Sequence, residues 1–190
     1  MGNGTLHPDV LRIGRRDAFL MSSLALPVCA REFGRLGDDI AERIRSIGPE
    51  GQDPATPSHA ADVRRSPSRC IAQLGPVALT LSWVRARVDT VADGRLLVIV
   101  WRGTVGRTGE RALEHVPAAS HTRATVIREE VLCADATMEA DWVWRAEAAP
   151  GMEFRSPELA ARCVESLMAA LATAATAATA ATAAEAAPIG

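Results

Sequence analysis

The sequence predicts a small α+β domain: a four-stranded antiparallel meander of two hairpins, flanked by an N-terminal and a C-terminal amphipathic helix. Three observations predict it. Apolar residues recur at helical spacing on either side of the middle of the chain. Period-two stretches fill that middle. The strands follow one another with no helix between them, which argues against βαβ units. At 190 residues and 48 % hydrophobic content, the chain can form one domain with extensions and a core without staples.

Residues 1–30 read as an N-terminal apolar extension. Arg15 and Arg16 precede the uncharged run 18–30, with Phe19 and Leu20 near its start. This stretch resembles a twin-arginine export signal, with Val28 and Ala30 placed for cleavage before Arg31. It departs from that pattern by having two residues, Asp17 and Ala18, between the arginine pair and the apolar pair. The resemblance implies export. The competing reading is an apolar segment that packs on a cytoplasmic domain, and cytoplasmic is the reading preferred.

Residues 31–48 read as the first amphipathic helix. Phe33, Leu36, Ile40, Ile44 and Ile47 form one stripe, ended by Gly48 and Pro49. Arg35, Asp38, Asp39, Glu42, Arg43 and Arg45 occupy the solvated side. Residues 49–70 read as a proline-interrupted linker with little to bury.

The core is expected over 71–172. In "VALTLSWVRARV" the apolar parity switches near Trp83, which predicts a bulge or sharp twist. Asp93-Gly94 reads as a two-residue hairpin turn. Residues 95–101, apolar on both faces, suit a central strand. A second hairpin is expected around Asp135. Its last strand places Met138, Ala140, Trp142, Trp144 and Ala146 on one side. The first hairpin is basic and the second acidic, so Arg85 or Arg87 should face carboxylates such as Glu139 and Asp141. Ser156 and Pro157 start the closing helix, whose Leu159, Cys163, Leu167 and Leu171 repeat every four residues.

Residues 173–190 read as a low-complexity tail. The Ala-Ala-Thr unit is similar to the repeat of fish antifreeze glycoproteins over twelve residues. That activity depends on sugars on threonine, and nothing here implies them. A threonine every third residue drifts about 60° per repeat around a helix, so no stable face forms. A triplet expansion and a frayed helical tail follow, and no stable membrane span is expected.

All 21 basic residues are arginine, and lysine and tyrosine are absent. This is the mark of a GC-rich, bacterial genome rather than of phosphate recognition. With a formal net charge of -2, nucleic acid is not an expected partner. The four cysteines, Cys29, Cys70, Cys133 and Cys163, form no CxxC motif, so no metal and no cofactor is expected. There is no Walker loop, GxSxG, HExxH or Rossmann fingerprint.

One loop has chemistry to offer. In "WRGTVGRTGER", Gly103, Gly106 and Gly109 recur every third residue among Arg102, Arg107 and Arg111, with His115 and His121 following. Glycines free backbone N–H groups to turn onto an anion, and arginines clamp a phosphate or carboxylate. The plain alternative is a surface connection. Trp83, Trp101, Trp142 and Trp144 carry most of the aromatic mass and are read as core, or as the lining of a pocket. The expected function is a protein-interaction or small-ligand-binding module without catalysis, self-associating as a homodimer. The alternative is an anion binder or enzyme built on the loop 102–111.

Overall fold

A computed structural model describes residues 14, 16–47, 61–105, 124–137 and 141–185, with side chains to residue 180. Its elements in order are α1 (Ala25–Ser46), β1 (Ala61–Ser66), β2 (Arg69–Leu74), β3 (Val77–Val84), β4 (Arg95–Arg102), β5 (Thr125–Ala136), β6 (Trp142–Ala146), β7 (Glu153–Phe154) and α2 (Ser156–Glu185). The expected α+β class stands. The four-stranded meander does not: the strands form one seven-stranded antiparallel sheet in the order β1 to β7.

Three strands account for the difference. β1 lies inside the stretch read as linker, and β2 begins there; the short β7 closes the far edge. Of the prolines that suggested a linker, Pro67 sits in a turn, and Pro49, Pro54 and Pro57 lie outside the described residues. Pro67-Ser68 joins β1 to β2, and Gly75-Pro76 joins β2 to β3. Gly75 has φ 54°, a backbone state that favours glycine and suits the first central position of a two-residue turn. The expected turn at Asp93-Gly94 is instead the end of a longer connection, residues 85–94, because β3 stops at Val84 opposite Arg95. The parity switch seen at Trp83 therefore marks the end of a strand. Val88 lies beyond it, 85 % exposed. The sheet's register shift is elsewhere, between Val100 and Trp101 on β4 against β5.

Both helices pack on one face. Val77, Leu79 and Leu81 of β3, Leu96, Val98 and Val100 of β4, Leu132 of β5 and Trp144 of β6 meet Leu36 and Ile40 of α1 and Leu159, Cys163 and Leu167 of α2. α1 begins six residues earlier than its stripe suggested, because Ala25 and Cys29 continue the buried side backwards. Pro27 falls in its first turn, where a missing N–H costs little. α2 continues unbroken through the alanine–threonine repeat to Glu185, but beyond Leu171 nearly every described side chain is exposed. The span Ser156–Ala180 is long and apolar enough, by length and composition alone, to cross a membrane; its first half is the domain's core helix.

The N-terminal apolar stretch is part of the fold. A helical turn at 16–20 precedes α1, and Leu20 is buried in the core. Its carbonyl accepts the Thr90 hydroxyl at 2.9 Å. Arg16 grips the carboxylate of Asp135, which also pairs with Arg145. Asp135 is therefore a buried strand residue, opposite Val143, and not the turn expected there.

Candidate functional site

The loop 102–111 offers less than its sequence suggested. Gly106, Arg107, Gly109, Arg111, His115 and His121 lie outside the described residues, as do all four histidines. Of the two that are described, Arg102 is exposed and Gly103 takes φ 104°. The amides at the loop's root are already used. Gly103 N–H donates to the Pro76 carbonyl at 2.7 Å, and Val105 N–H to Gln73 Oε1 at 3.2 Å. The same Gln73 side chain donates to the carbonyls of Gly75 and Val77 at 2.7 and 2.9 Å. One glutamine thus ties the β2–β3 turn to the exit of β4, and the described glycine amide faces protein rather than ligand.

The tryptophans divide by face. Trp144 is fully buried, with Trp83 and Trp142 each edge-on to it at 5.6 Å between ring centroids. Trp101 lies on the opposite face of the sheet and donates to the Thr80 hydroxyl at 2.9 Å. Three of the four therefore form one cluster beneath the helices.

The Trp142 end of that cluster lies where α1, β6 and the start of α2 meet. The elements here are set by their sequences. Arg155 caps α2, with its N–H donating to Glu158 Oε2 at 3.0 Å and its carbonyl accepting Leu159 N–H at 3.0 Å. The predicted cap, Ser156, instead sits inside the first turn, with its hydroxyl committed. It accepts the Trp144 indole N–H at 3.1 Å and donates to Glu32 Oε2 at 3.0 Å. This relay ties β6, α2 and α1 together at one point. Asp141 holds the Arg155 guanidinium at 2.7 Å, and is itself anchored through the Thr137 hydroxyl to its N–H at 3.2 Å.

Around this junction lies an open cleft of about 420 Å³. Its apolar wall is Phe19, Val28, Trp142 and Pro157, and its polar wall is Arg31, Glu32, Arg35, Asp141, Arg155 and Ser156. Trp142 is only 8 % exposed, and its indole N–H, fully buried, has no partner among the described residues. A buried donor left unpaired costs about 1–3 kcal/mol, so such groups are rare without a reason. Arg31 approaches Glu32 at 3.4 Å, while Arg35 has no ion pair among the described residues. Of these residues, only Trp142 was a candidate site residue from the sequence; Phe19, Val28, Arg31, Asp141, Ser156 and Pro157 entered it in other roles. Arg31 and Arg35 stand one helical turn apart on the flank of α1, and the Arg-Ser-Pro-Glu helix start was the other signal present.

A second cleft, about 320 Å³, separates α1 from the β1–β2 hairpin. Gly34, Gly37, Arg65 and Cys70 are among its walls. A third site joins Arg128, Glu130, Arg162 and Ser166 beneath α2, and encloses only about 10 Å³, too little for a ligand.

No described cysteine is poised for nucleophilic chemistry. Burial pushes the thiols of Cys29 and Cys163 up to about 12 and that of Cys70 up to about 11, so they stay protonated at neutral pH. Burial also raises Cys133. Among the described residues no three His, Cys, Asp or Glu side chains gather as a metal site. No family model, curated protein or solved structure matches the chain.

Proposed function

We propose that the chain is a small-ligand-binding module without catalysis, and that the cleft between α1, β6 and the start of α2 is its site. One observation carries the reading: a cleft of ligand size is walled by Trp142, whose buried indole N–H lacks an acceptor among the described residues. The indole signals of the four tryptophans in a ¹⁵N–¹H spectrum test it. A fragment series should move the Trp142 signal, identified with Trp142→Phe, and raise the melting temperature. A series that leaves this signal fixed overturns the reading.

A second reading, self-association or a protein partner, rests on β5. β6 pairs only with Leu132–Ala136, so among the described residues the outer edge of 125–130 has no neighbouring strand. Val126 and Ile127 on it are 50 % and 44 % exposed. An open edge with apolar side chains is a template for another strand. Sedimentation should then show a homodimer that Ile127→Glu dissolves; a monomer at all concentrations removes this reading. The anion-binding or enzymatic alternative on 102–111 retains only Arg102 and Gly103 among the described residues. A cytoplasmic location is supported by packing: cleavage before Arg31 would strip Leu20, Ala25 and Cys29 from the core.

A further inference from the structure

The charges of the cleft can be counted. Glu32 is engaged by the Ser156 hydroxyl and by Arg31. Asp141 is engaged by Arg155. Arg35 is left over, and its positive charge is uncompensated among the described residues. The N-terminus of α2 adds about half a positive charge, undiluted because this helix runs 30 residues in one direction. The acidic residue in its first turn, Glu158, accepts the Arg155 N–H, and its charge offsets that helix end. The cleft lining therefore has one guanidinium in excess, three arginines against two carboxylates, which one negative charge balances.

The remaining surface is not that of a simple ion site. Phe19, Val28, Trp142 and Pro157 supply an apolar wall continuous with the arginines. The indole of Trp142 is part of that wall, with its N–H buried beneath the surface and without an acceptor among the described residues. A bare inorganic anion would leave this wall wet. A neutral apolar molecule would leave Arg35 unanswered.

We infer that the cleft takes an amphipathic monoanion: a compact organic acid whose carboxylate lies with Arg35 and Arg31 beside the α2 N-terminus, and whose hydrocarbon body rests on Trp142, Phe19 and Val28. The inference rests on the ligand-binding reading above and narrows it to one chemical class. A carboxylate answers the unpaired guanidinium, and a hydrocarbon body covers the apolar wall, which neither an inorganic anion nor a neutral hydrocarbon does together.

The experiment uses the full chain and three kinds of probe: phenylacetate and hexanoate, their neutral amides, and inorganic phosphate. The readouts are the Trp142 indole signal and the melting temperature. The acids should saturate the signal, with the amides at least tenfold weaker and phosphate unable to displace the acids. Arg35→Gln should weaken the acids tenfold or more while keeping the melting temperature of the free protein, because Arg35 is exposed. Equal affinity for acids and amides, unchanged by Arg35→Gln, overturns the monoanion and leaves the ligand-binding reading intact. Tighter binding of phosphate than of the acids also overturns the monoanion. A Trp142 signal that no probe moves overturns both.

Discussion

A methyl group has no room at Gly94. A Cβ there would stand 2.3 and 2.4 Å from the Trp83 ring carbons Cζ2 and Cη2, and 3.1 Å from the Val91 carbonyl. The glycine is needed so that the indole can cross the turn and reach Trp144. Gly94→Ala should cost about 1–3 kcal/mol, the usual range for overpacking, with a change in tryptophan emission as Trp83 shifts. Urea unfolding followed by fluorescence measures both, and an unchanged midpoint would show that the ring yields freely. The buried thiols give a second prediction at this scale. In the folded chain Cys29, Cys70 and Cys163 hold their protons to about pH 11–12, whereas an unfolded thiol ionises near 9. Their folded values are raised, so the associated stability is full below pH 9 and is lost as pH rises towards the folded values. The slope is up to about 1.4 kcal/mol per pH unit for each thiol. The chain has no lysine and no tyrosine, so apart from the half-buried Cys133, which burial also raises, no other side chain titrates in that window. Urea midpoints should fall from pH 8.5 to pH 10.5, and replacing the three cysteines by alanine should flatten the profile. A wild-type profile already flat contradicts the burial argument.

α2 contains two different helices in one. Up to Leu171 it is held by its stripe on the sheet; beyond, it holds itself. The hydroxyls of Thr173, Thr176 and Thr179 donate to the carbonyls of Ala169, Ala172 and Ala175 at 2.9, 3.0 and 3.1 Å, so each threonine bonds within the helix. Removing residues 176–190 should therefore lower the helical circular-dichroism signal and shift the melting temperature by no more than about 2 °C, the equivalent of about 0.5–1 kcal/mol for a domain of this size. A larger loss would mean that the tail packs. The stripes of both helices were legible because each helix has one wet side. Elsewhere the legible signal was ambiguous. β1 has the burial of an edge strand, with Asp62, Arg65 and Ser66 exposed, so its composition is that of a linker. Only pairing with Arg69–Leu74 makes it a strand. Asp93-Gly94 matched a hairpin signal, but the space needed by Trp83, a non-local fact, is what requires the glycine. The charge asymmetry between hairpins was real, but Asp141 pairs with Arg155 rather than with Arg85 or Arg87, and Glu139 lies outside the described residues. Arg87 pairs with Asp89 in its own loop, and Arg95 reaches Glu147 at 3.1 Å. Loop ends are free to satisfy a nearby charge before a distant one. The cleft was illegible because its walls come from four separate stretches of the chain.

At the scale of the whole molecule, the N-terminal segment decides what kind of object the chain is. Its arginine pair and apolar run have the composition of a removable leader, but its contacts are those of a structural element. Arg16 and Arg145 both bear on Asp135, a carboxylate only 4 % exposed, which also accepts the Ala136 N–H at 2.7 Å. Removing one cation of a buried set leaves the remaining charges poorly matched, at a cost that reaches several kcal/mol when no partner remains. Arg145 stays in place, so Arg16→Ala should cost less than that limit, about 1–2 kcal/mol. Leu20→Ala removes a buried side chain and should cost about 2–5 kcal/mol. A chain of residues 31–190 loses both, together with Ala25, Cys29 and the first turn and a half of α1, and the cleft loses Phe19 and Val28. Such losses approach the whole stability of an ordinary domain. The expected result is that residues 31–190, made as they would be after cleavage before Arg31, show no cooperative unfolding transition, while the full chain shows one. If residues 31–190 instead melt cooperatively near the full-length temperature, then 16–30 is a dispensable leader after all, and the resemblance to an export signal regains its force.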